Sequence, residues 1–564
     1  MPIEQLPHDL LYLIIYGYIL KDFHRSVAVT QKDTPRWRCM YSSQDIRSLR
    51  LVSSYFNAHV VNDPRYWVQI TMRGKGTIHL AHLALTRSKE CPLNITLLTK
   101  FVRRSPNVDY TEHWHSHAEG FKVIAQGLSR CTHLYLSLAR GLETEATNIP
   151  PNPYSAPVLR VLTLIEESAF AERSFHDDRR NRTPDPPEPA TRLFHPILNL
   201  LHDTGLPALT DLYIVNLDIY RADSHAASCI PFESLRTLNF TFNRHNWAFR
   251  YIPDTFLGTV LTRCTQIDSL YIDFAASLET IPDRDIYEFG RTCRTLSLKL
   301  VQFSGAWNRS LELSNTTHLT ISGTLGFAHP PVAQRIVLDF LQGCPRLEFL
   351  DFSIRDARDD WAPVLVRRGA FEHLTQLVLE MNQSFTYILL ASFSFPALQL
   401  LAIEPLGRFP NEHVGDYFTL HVVEKIDQFN ALTTFGTRKG KDVFDLSVSL
   451  WSLVRKMPEL QTLNLFGYFI SGEIFTTFGI RQDSTNEFLC PKLETIIMLS
   501  EFTEEMELSE QAGWVHNIRK DPLIRIPARQ TTPIIRTGLK DTGGWFRMWL
   551  SGHDLYTKLI GTQA

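Results

Sequence analysis

Five strings spaced along the chain, CPRLEFLDFSI, FEHLTQLVLEM, FPALQLLAIEP, MPELQTLNLFG and CPKLETIIMLS, share one template. An apolar residue or Cys is followed three places later by Leu, and the spacing LxxLxL then runs from that Leu. Walking the anchor along the sequence gives Leu134, Leu159, Leu209, Leu235, Ile267, Leu296, Leu319, Leu347, Leu374, Leu398, Leu432, Leu460 and Leu493. One step, from Leu159 to Leu209, is twice the others. Counted as two, it leaves about 28 residues per unit. A period this regular dictates the architecture. In LxxLxL the last two apolar residues sit two apart, so both point to one side of a short strand. A single strand with its return segment cannot bury that side, and neighbours must stack.

The period is that of leucine-rich repeats, and it predicts an α/β solenoid, a horseshoe of about 13–15 units. A domain count from length alone, 564 residues at about 150 each, would give four domains. The repeat replaces that with one array over 131–500, preceded by irregular first repeats over 68–130. Segments such as PPVAQRIVLDFLQGC and TFLGTVLTRC carry apolar residues at helical spacing and suit the outer side. HLALTRSKECPLNITLL predicts a helix followed by a strand at 93–97. The charged, proline-bearing stretch AERSFHDDRRNRTPDPPEP lies in the double step and predicts an exposed excursion over 171–190. The pattern stops near residue 500, which leaves 501–564 as a cap or tail.

Five of the eight cysteines, Cys131, Cys264, Cys293, Cys344 and Cys490, stand three places before an anchor. The same slot holds Phe232, Phe371, Phe395, Met457 and Leu206 elsewhere, so Cys serves there as a small buried hydrophobe. Eight cysteines in 564 residues do not make a disulfide scaffold. A formal charge of −3 supplies no field for nucleic acid or an anionic membrane. The apolar run Leu10–Leu20 is shorter than the ~20 residues of a membrane span, and only Glu4 and Asp9 carry charge before it. The expectation is a reduced, intracellular protein, cytoplasmic or nuclear or both.

That run is informative in another way. From Asp9 to Leu20, ten of twelve residues are apolar or tyrosine, so a helix there must be buried on nearly every face. The residues before the array are few and bury little by themselves. The helix therefore packs on the first repeats or meets another protein. Ser42 and Asp45 fit a capping box for a second helix, along which Ile46, Leu49 and Val52 recur at three-residue steps. Pro64 ends its pattern and Trp67 follows.

These residues resemble the F-box. Its opening Leu-Pro is matched by Leu6-Pro7, followed by Asp9, Leu10, Leu11, Ile14, Ile15 and Ile19. Its second half is matched in DIRSLRLVSSYFNAHVVNDPRYW at Leu49, Leu51, Val52, Ser53, Phe56, Asp63, Pro64 and Trp67. With the repeats behind it, the chain is similar to F-box/leucine-rich-repeat proteins of the fungal type, with residues 1–67 as the F-box. The resemblance implies a substrate-recognition subunit of a cullin–RING (SCF-type) ubiquitin ligase that performs no bond chemistry itself. Its F-box would bind a Skp-type adaptor and through it a cullin, using Leu6, Pro7, Leu10, Leu11, Ile14, Ile15, Ile46, Leu49, Val52 and Phe56. Residues 21–43 depart from the family as a long polar insertion. The alternative is a non-catalytic repeat scaffold outside ubiquitination.

No other motif carries chemistry. His113, His115 and His117 in HWHSH would share one side of a strand, but no further ligand stands at metal spacing, and a surface loop is the expectation. Gly436-Thr-Arg-Lys-Gly440-Lys441 is one residue short of a phosphate loop and lacks its Ser/Thr, so it predicts a loop between repeats. No metal or cofactor is expected. The target-binding candidates are outward residues of the concave face, chiefly Tyr213, Asn239, Tyr271, Asp273, Asp351 and Glu380, with Asp211, Ser269, Gln376 and Asn464 beside them. Aromatic anchors among hydrogen-bonding groups suit a protein interface.

Overall fold

A computed structural model describes residues 53–72, 75–98, 111–139, 156–167, 206–215, 231–241, 263–273, 292–302, 313–324, 330–355, 369–381, 383–405, 430–438, 457–466, 492–499 and 534–538, with 9, 10 and 51 besides. The chain divides into two units, Met1–Phe274 and Ala275–Ala564. Each is mixed α/β, with parallel strands that pair in the order they occur.

The first unit runs α1 (Ser54–Asn62), β1 (Gln69–Met72), α2 (Lys75–Arg87), β2 (Leu93–Leu98), α3 (Thr111–Gly127), β3 (Cys131–Ala139), β4 (Val161–Glu167), β5 (Asp211–Val215), β6 (Thr237–Thr241) and β7 (Ser269–Asp273). Every neighbouring pair from β1 to β7 is parallel. The second unit runs β8 (Thr295–Gln302), β9 (His318–Thr324), α4 (Pro330–Gln342), β10 (Phe349–Arg355), β11 (Gly369–Ala370), β12 (Gln376–Met381), α5 (Gln383–Ser392), β13 (Phe393–Ser394), β14 (Leu400–Pro405), β15 (Thr434–Arg438), β16 (Thr462–Phe466), β17 (Thr495–Leu499) and β18 (Ile534–Gly538). Its main sheet pairs β8, β9, β10, β12, β14, β15, β16, β17 and β18 in parallel, while β11 pairs with β13 alone. The pairing continues past residue 500, because β18 extends the sheet where the leucine pattern has ended.

Pairing aligns the apolar positions into rows. Leu134, Leu162, Leu212, Leu238 and Leu270 are successive partners, and so are Leu319, Leu350, Leu377 and Leu401. All nine are at most 3% exposed. A second row, Leu298, Ile321, Phe352, Leu379 and Ile403, continues in register through Thr437 to Leu465 and Met498, and the Thr437 hydroxyl makes it the odd member. Val337, Leu338, Phe340 and Leu341 form one buried side of α4.

The register corrects three anchors. Leu134, Leu296 and Leu319 share rows with residues three places after an anchor, so the anchor slots of those repeats hold Cys131, Cys293 and Thr316. The corner confirms the phase. Anchor N–H groups donate to the carbonyl three residues back in Leu159→Ala156, Leu209→Leu206, Leu374→Phe371 and Leu398→Phe395, and Thr316→Leu313 repeats this at 3.1 Å. The buried Thr316 hydroxyl is satisfied by the Cys293 carbonyl, 3.0 Å away in the preceding repeat.

Cys131, Cys264, Cys293 and Cys344 are buried. Burial pushes the thiols of Cys131 and Cys264 up to about 12, and that of Cys344 upward as well. Since the thiolate is the nucleophile, iodoacetamide should label Cys91, which is partly exposed, and spare these four until denaturant is added. Peptide mass mapping before and after unfolding checks this.

Two expected loops are regular structure. His113, His115 and His117 lie in α3, not in a loop or strand. At about 100° per residue a helix turns His115 away from the other two positions. Gly436 to Arg438 belong to β15. Among the described residues, no three His, Cys, Asp or Glu gather to hold a metal, and no helix is long and apolar enough to cross a membrane.

Gly127, the last residue of α3, stands close against β2 and α2. A Cβ there would stand 2.9 Å from Ile95 Cδ1, 3.0 Å from Leu85 Cδ2 and 3.1 Å from Leu93 Cδ1. Gly127→Val should cost about 1–3 kcal/mol through overpacking, seen as a lower Tm in differential scanning fluorimetry.

Candidate functional site

The second half of the amino-terminal motif folds as a capped helix and a tight turn. Ser53 is extended, at φ −162° and ψ 166°, and its Oγ accepts from the N–H of Phe56 at 3.2 Å. Ser53 thereby starts a new helix, so the helical stretch expected to run unbroken to Pro64 is interrupted there. Asp63 then caps the turn Pro64–Trp67, accepting from the Arg65 N–H at 3.0 Å. Burial by itself would raise the Asp63 carboxyl, but the Arg65 hydrogen bonds and charge hold it below its usual range. Arg65 also reaches Asp9 at 2.9 Å, tying the first half of the motif to the second.

Inside, Trp67 Nε1 donates to the Val60 carbonyl at 2.7 Å, and Arg87 of α2 lies over the Trp67 ring at 4.5 Å. His59 and Tyr66 share a buried hydrogen bond of 3.1 Å. Phe56 is 8% exposed and supports the core rather than a surface. Outside, Leu10 is 49% exposed and Leu51 is 80% exposed. Leu51 matches the motif but is not one of the adaptor candidates, and it is the more exposed of the two. The candidates Leu6, Pro7, Leu11, Ile14, Ile15, Ile46, Leu49 and Val52 lie outside the described residues, as does the insertion 21–43.

The second candidate surface is the outward side of the strands. In the first unit, Tyr213 of β5 faces Thr163 of β4 and Asn239 of β6, which in turn faces Tyr271 of β7. Tyr213, Asn239 and Tyr271 are half-buried. Burial pushes the Tyr213 phenol up to about 12, with Asp211 and Tyr271 adding to it. Asp273 is the partner of Thr241, at the trailing end of the same face.

In the second unit, Asp351 pairs with Val378, and Glu380 with Glu404. Asp351 and Glu380 are half-buried, while Val378 and Glu404 are buried. Asn464 is outward by alternation but not exposed: it is 0% exposed, and among the described residues its amide atoms have no hydrogen-bond partner. Tyr213, Asn239 and Tyr271 form one row of register partners beside the buried Thr163, whereas Asp351 and Glu380 stand on another unit beside the buried Val378 and Glu404.

No family model matches the chain. No curated protein matches it. Among solved structures, the crystal structure of a TLR13–ssRNA13 complex is similar over 84% of this chain at 13% identity, with a TM-score of 0.31. The chain spans 62% of the length of that protein.

Proposed function

We propose that this chain is the target-recognition subunit of a cullin–RING ubiquitin ligase, working in the cytoplasm or nucleus. Its amino-terminal module docks a Skp-type adaptor, and the outward face of its strands holds a target protein. The observation that carries the reading is the exposure of Leu10 and Leu51, at 49% and 80%. Both are helical residues at matching positions of the two motif halves. Single exposed leucines are ordinary; two in a module that resembles an adaptor-binding motif are a docking surface in waiting.

The chain contributes position rather than bond chemistry. Holding adaptor and target at once raises the target's effective concentration at the ubiquitin carrier. Co-expression of the full chain with a Skp-type adaptor should yield a one-to-one complex on gel filtration. Elution of the two as separate species would favour the scaffold alternative.

A further inference from the structure

Part of the outward face of the second unit is buried although its side chains are small. Its middle row runs Val378, Ala402, Gly436 and Asn464, each the register partner of the next across β12, β14, β15 and β16. Val378 is 6% exposed, Ala402 and Asn464 are 0% exposed, and Gly436 is buried. The row does not cover itself. Gly436 has no side chain, so along neighbours about 4.8 Å apart the Ala402 methyl and the Asn464 amide border an open trough. Two polar groups on this side are also unpaired. Ser353 stands two residues past Asp351, the register partner of Val378. Among the described residues, its buried hydroxyl and the Asn464 amide have no hydrogen-bond partner. Buried groups of this kind are costly to leave unmade, and the N–H and C=O groups of a peptide backbone would satisfy both.

Connectivity narrows the choice of occupant. Helix α5 joins β12 to β14, and its Phe385 lies 6.4 Å from Phe352, on the side of the sheet opposite to the Val378 row. Parallel strands paired in chain order are joined by right-handed crossovers, so the other connections of the unit belong on the side of α5. That rule takes up 406–429, 439–456, 467–491 and 500–533, each tied between two strands. Residues 539–564 follow β18, the last described strand, and are not so tied. They hold Trp545, Phe546 and Trp549 directly after Gly543-Gly544, and bulky rings suit a trough between small side chains. In the sheet order β18 lies two strands from β16 and six from β10, or about 10 and 29 Å. Extended chain spans about 3.3 Å per residue. Trp545, seven residues past Gly538, therefore reaches about 23 Å, and Trp549 about 36 Å.

We infer that residues 539–564 lie over the outward row between β10 and β16, with their aromatic rings on Ala402 and Gly436 and their backbone paired to Asn464 and Ser353. The segment is a built-in cover, and a target reaches this part of the face by displacing it. That last step rests on the reading that the outward face holds the target; the cover itself does not. The test uses the full chain alone, with photo-reactive p-benzoylphenylalanine placed at Glu380 of β12 or at Thr462 of β16, both half-buried on the outward side. Irradiation and peptide mapping should give cross-links to 539–564 of the same chain. Cross-links confined to the strand-to-strand connections or to a second copy overturn the proposal, as does no cross-link from either position. A second measurement reads the cover through accessibility. Ala402→Cys should resist maleimide in the folded chain, and adding Trp545→Ser with Trp549→Ser should speed its labelling at least about ten-fold, followed by peptide mass mapping. Unchanged labelling in variants that melt like wild type would overturn the cover, and Thr462→Cys decides if Ala402→Cys does not fold. Neither adaptor nor target is present, so failure here leaves both docking readings standing, and a chain that captures no target can still show the cover.

Discussion

Leu10→Asp and Leu51→Asp should each abolish capture of a Skp-type adaptor while leaving thermal unfolding of the chain within about 0.5 kcal/mol of wild type. Both side chains are already largely in water, at 49% and 80% exposure, so the free chain loses little. The complex loses much more. Burying a leucine contributes about 1.5–3 kcal/mol, and an unpaired carboxylate forced into an apolar contact adds a desolvation cost of several kcal/mol. A micromolar complex has only about 8 kcal/mol to lose, so a pull-down should return none. Phe56→Ala is the contrasting variant. At 8% exposure Phe56 supports the module from within, so it should lower Tm and weaken capture together. Adaptor retained at wild-type level by both aspartate variants would remove the ligase reading.

Leu51 also shows what a one-dimensional pattern leaves out. The motif identified it, but the pattern of apolar residues favoured Ile46, Leu49 and Val52, and exposure is not visible in a one-dimensional pattern. The inward rows were legible because leucine at LxxLxL spacing is redundant: the period survives when single members change. The phase was not redundant. Where Cys131, Cys293 or Thr316 fills the anchor slot, the eye starts at the next leucine, three residues late, and only pairing with the neighbouring strand corrects it.

The same limit explains two other misses. HWHSH alternates over five residues, yet the wider spacing of the buried Val123, Ile124 and Leu128 belongs to a helix leading into a turn. The strand Ile534–Gly538 has no leucine at all, and it joins the sheet by backbone pairing, which any sequence can supply. Of the candidate target-binding residues, alternation put Tyr213, Asn239 and Tyr271 on one side of their strands, and they are half-buried register partners. It was silent on the burial of Asn464, which depends on packing beyond its own strand.

Leu377→Ala should destabilise the second unit by about 2–5 kcal/mol, and the loss should be local. Leu377 is 0% exposed and lies in register between Leu350 and Leu401, each also 0% exposed. Each repeat contacts mainly its neighbours, so stability is close to a sum of repeat and interface contributions. The cavity left by alanine weakens the two interfaces of β12, with β10 and β14. Amide exchange followed by mass spectrometry should then accelerate in 349–355, 376–381 and 400–405 by about 30-fold to several thousand-fold, the range that 2–5 kcal/mol implies at 1.4 kcal/mol per decade. Strand 495–499, four strands beyond β12 in the sheet order, should change far less. Gln376→Ala is one residue away but on the exposed side of the same strand, and should shift exchange by less than about 0.5 kcal/mol. Equal acceleration from β8 through β18 would mean that the unit unfolds as one cooperative block. In that case the leucine rows act as a single core, and the repeat period describes the sequence without describing its energetics.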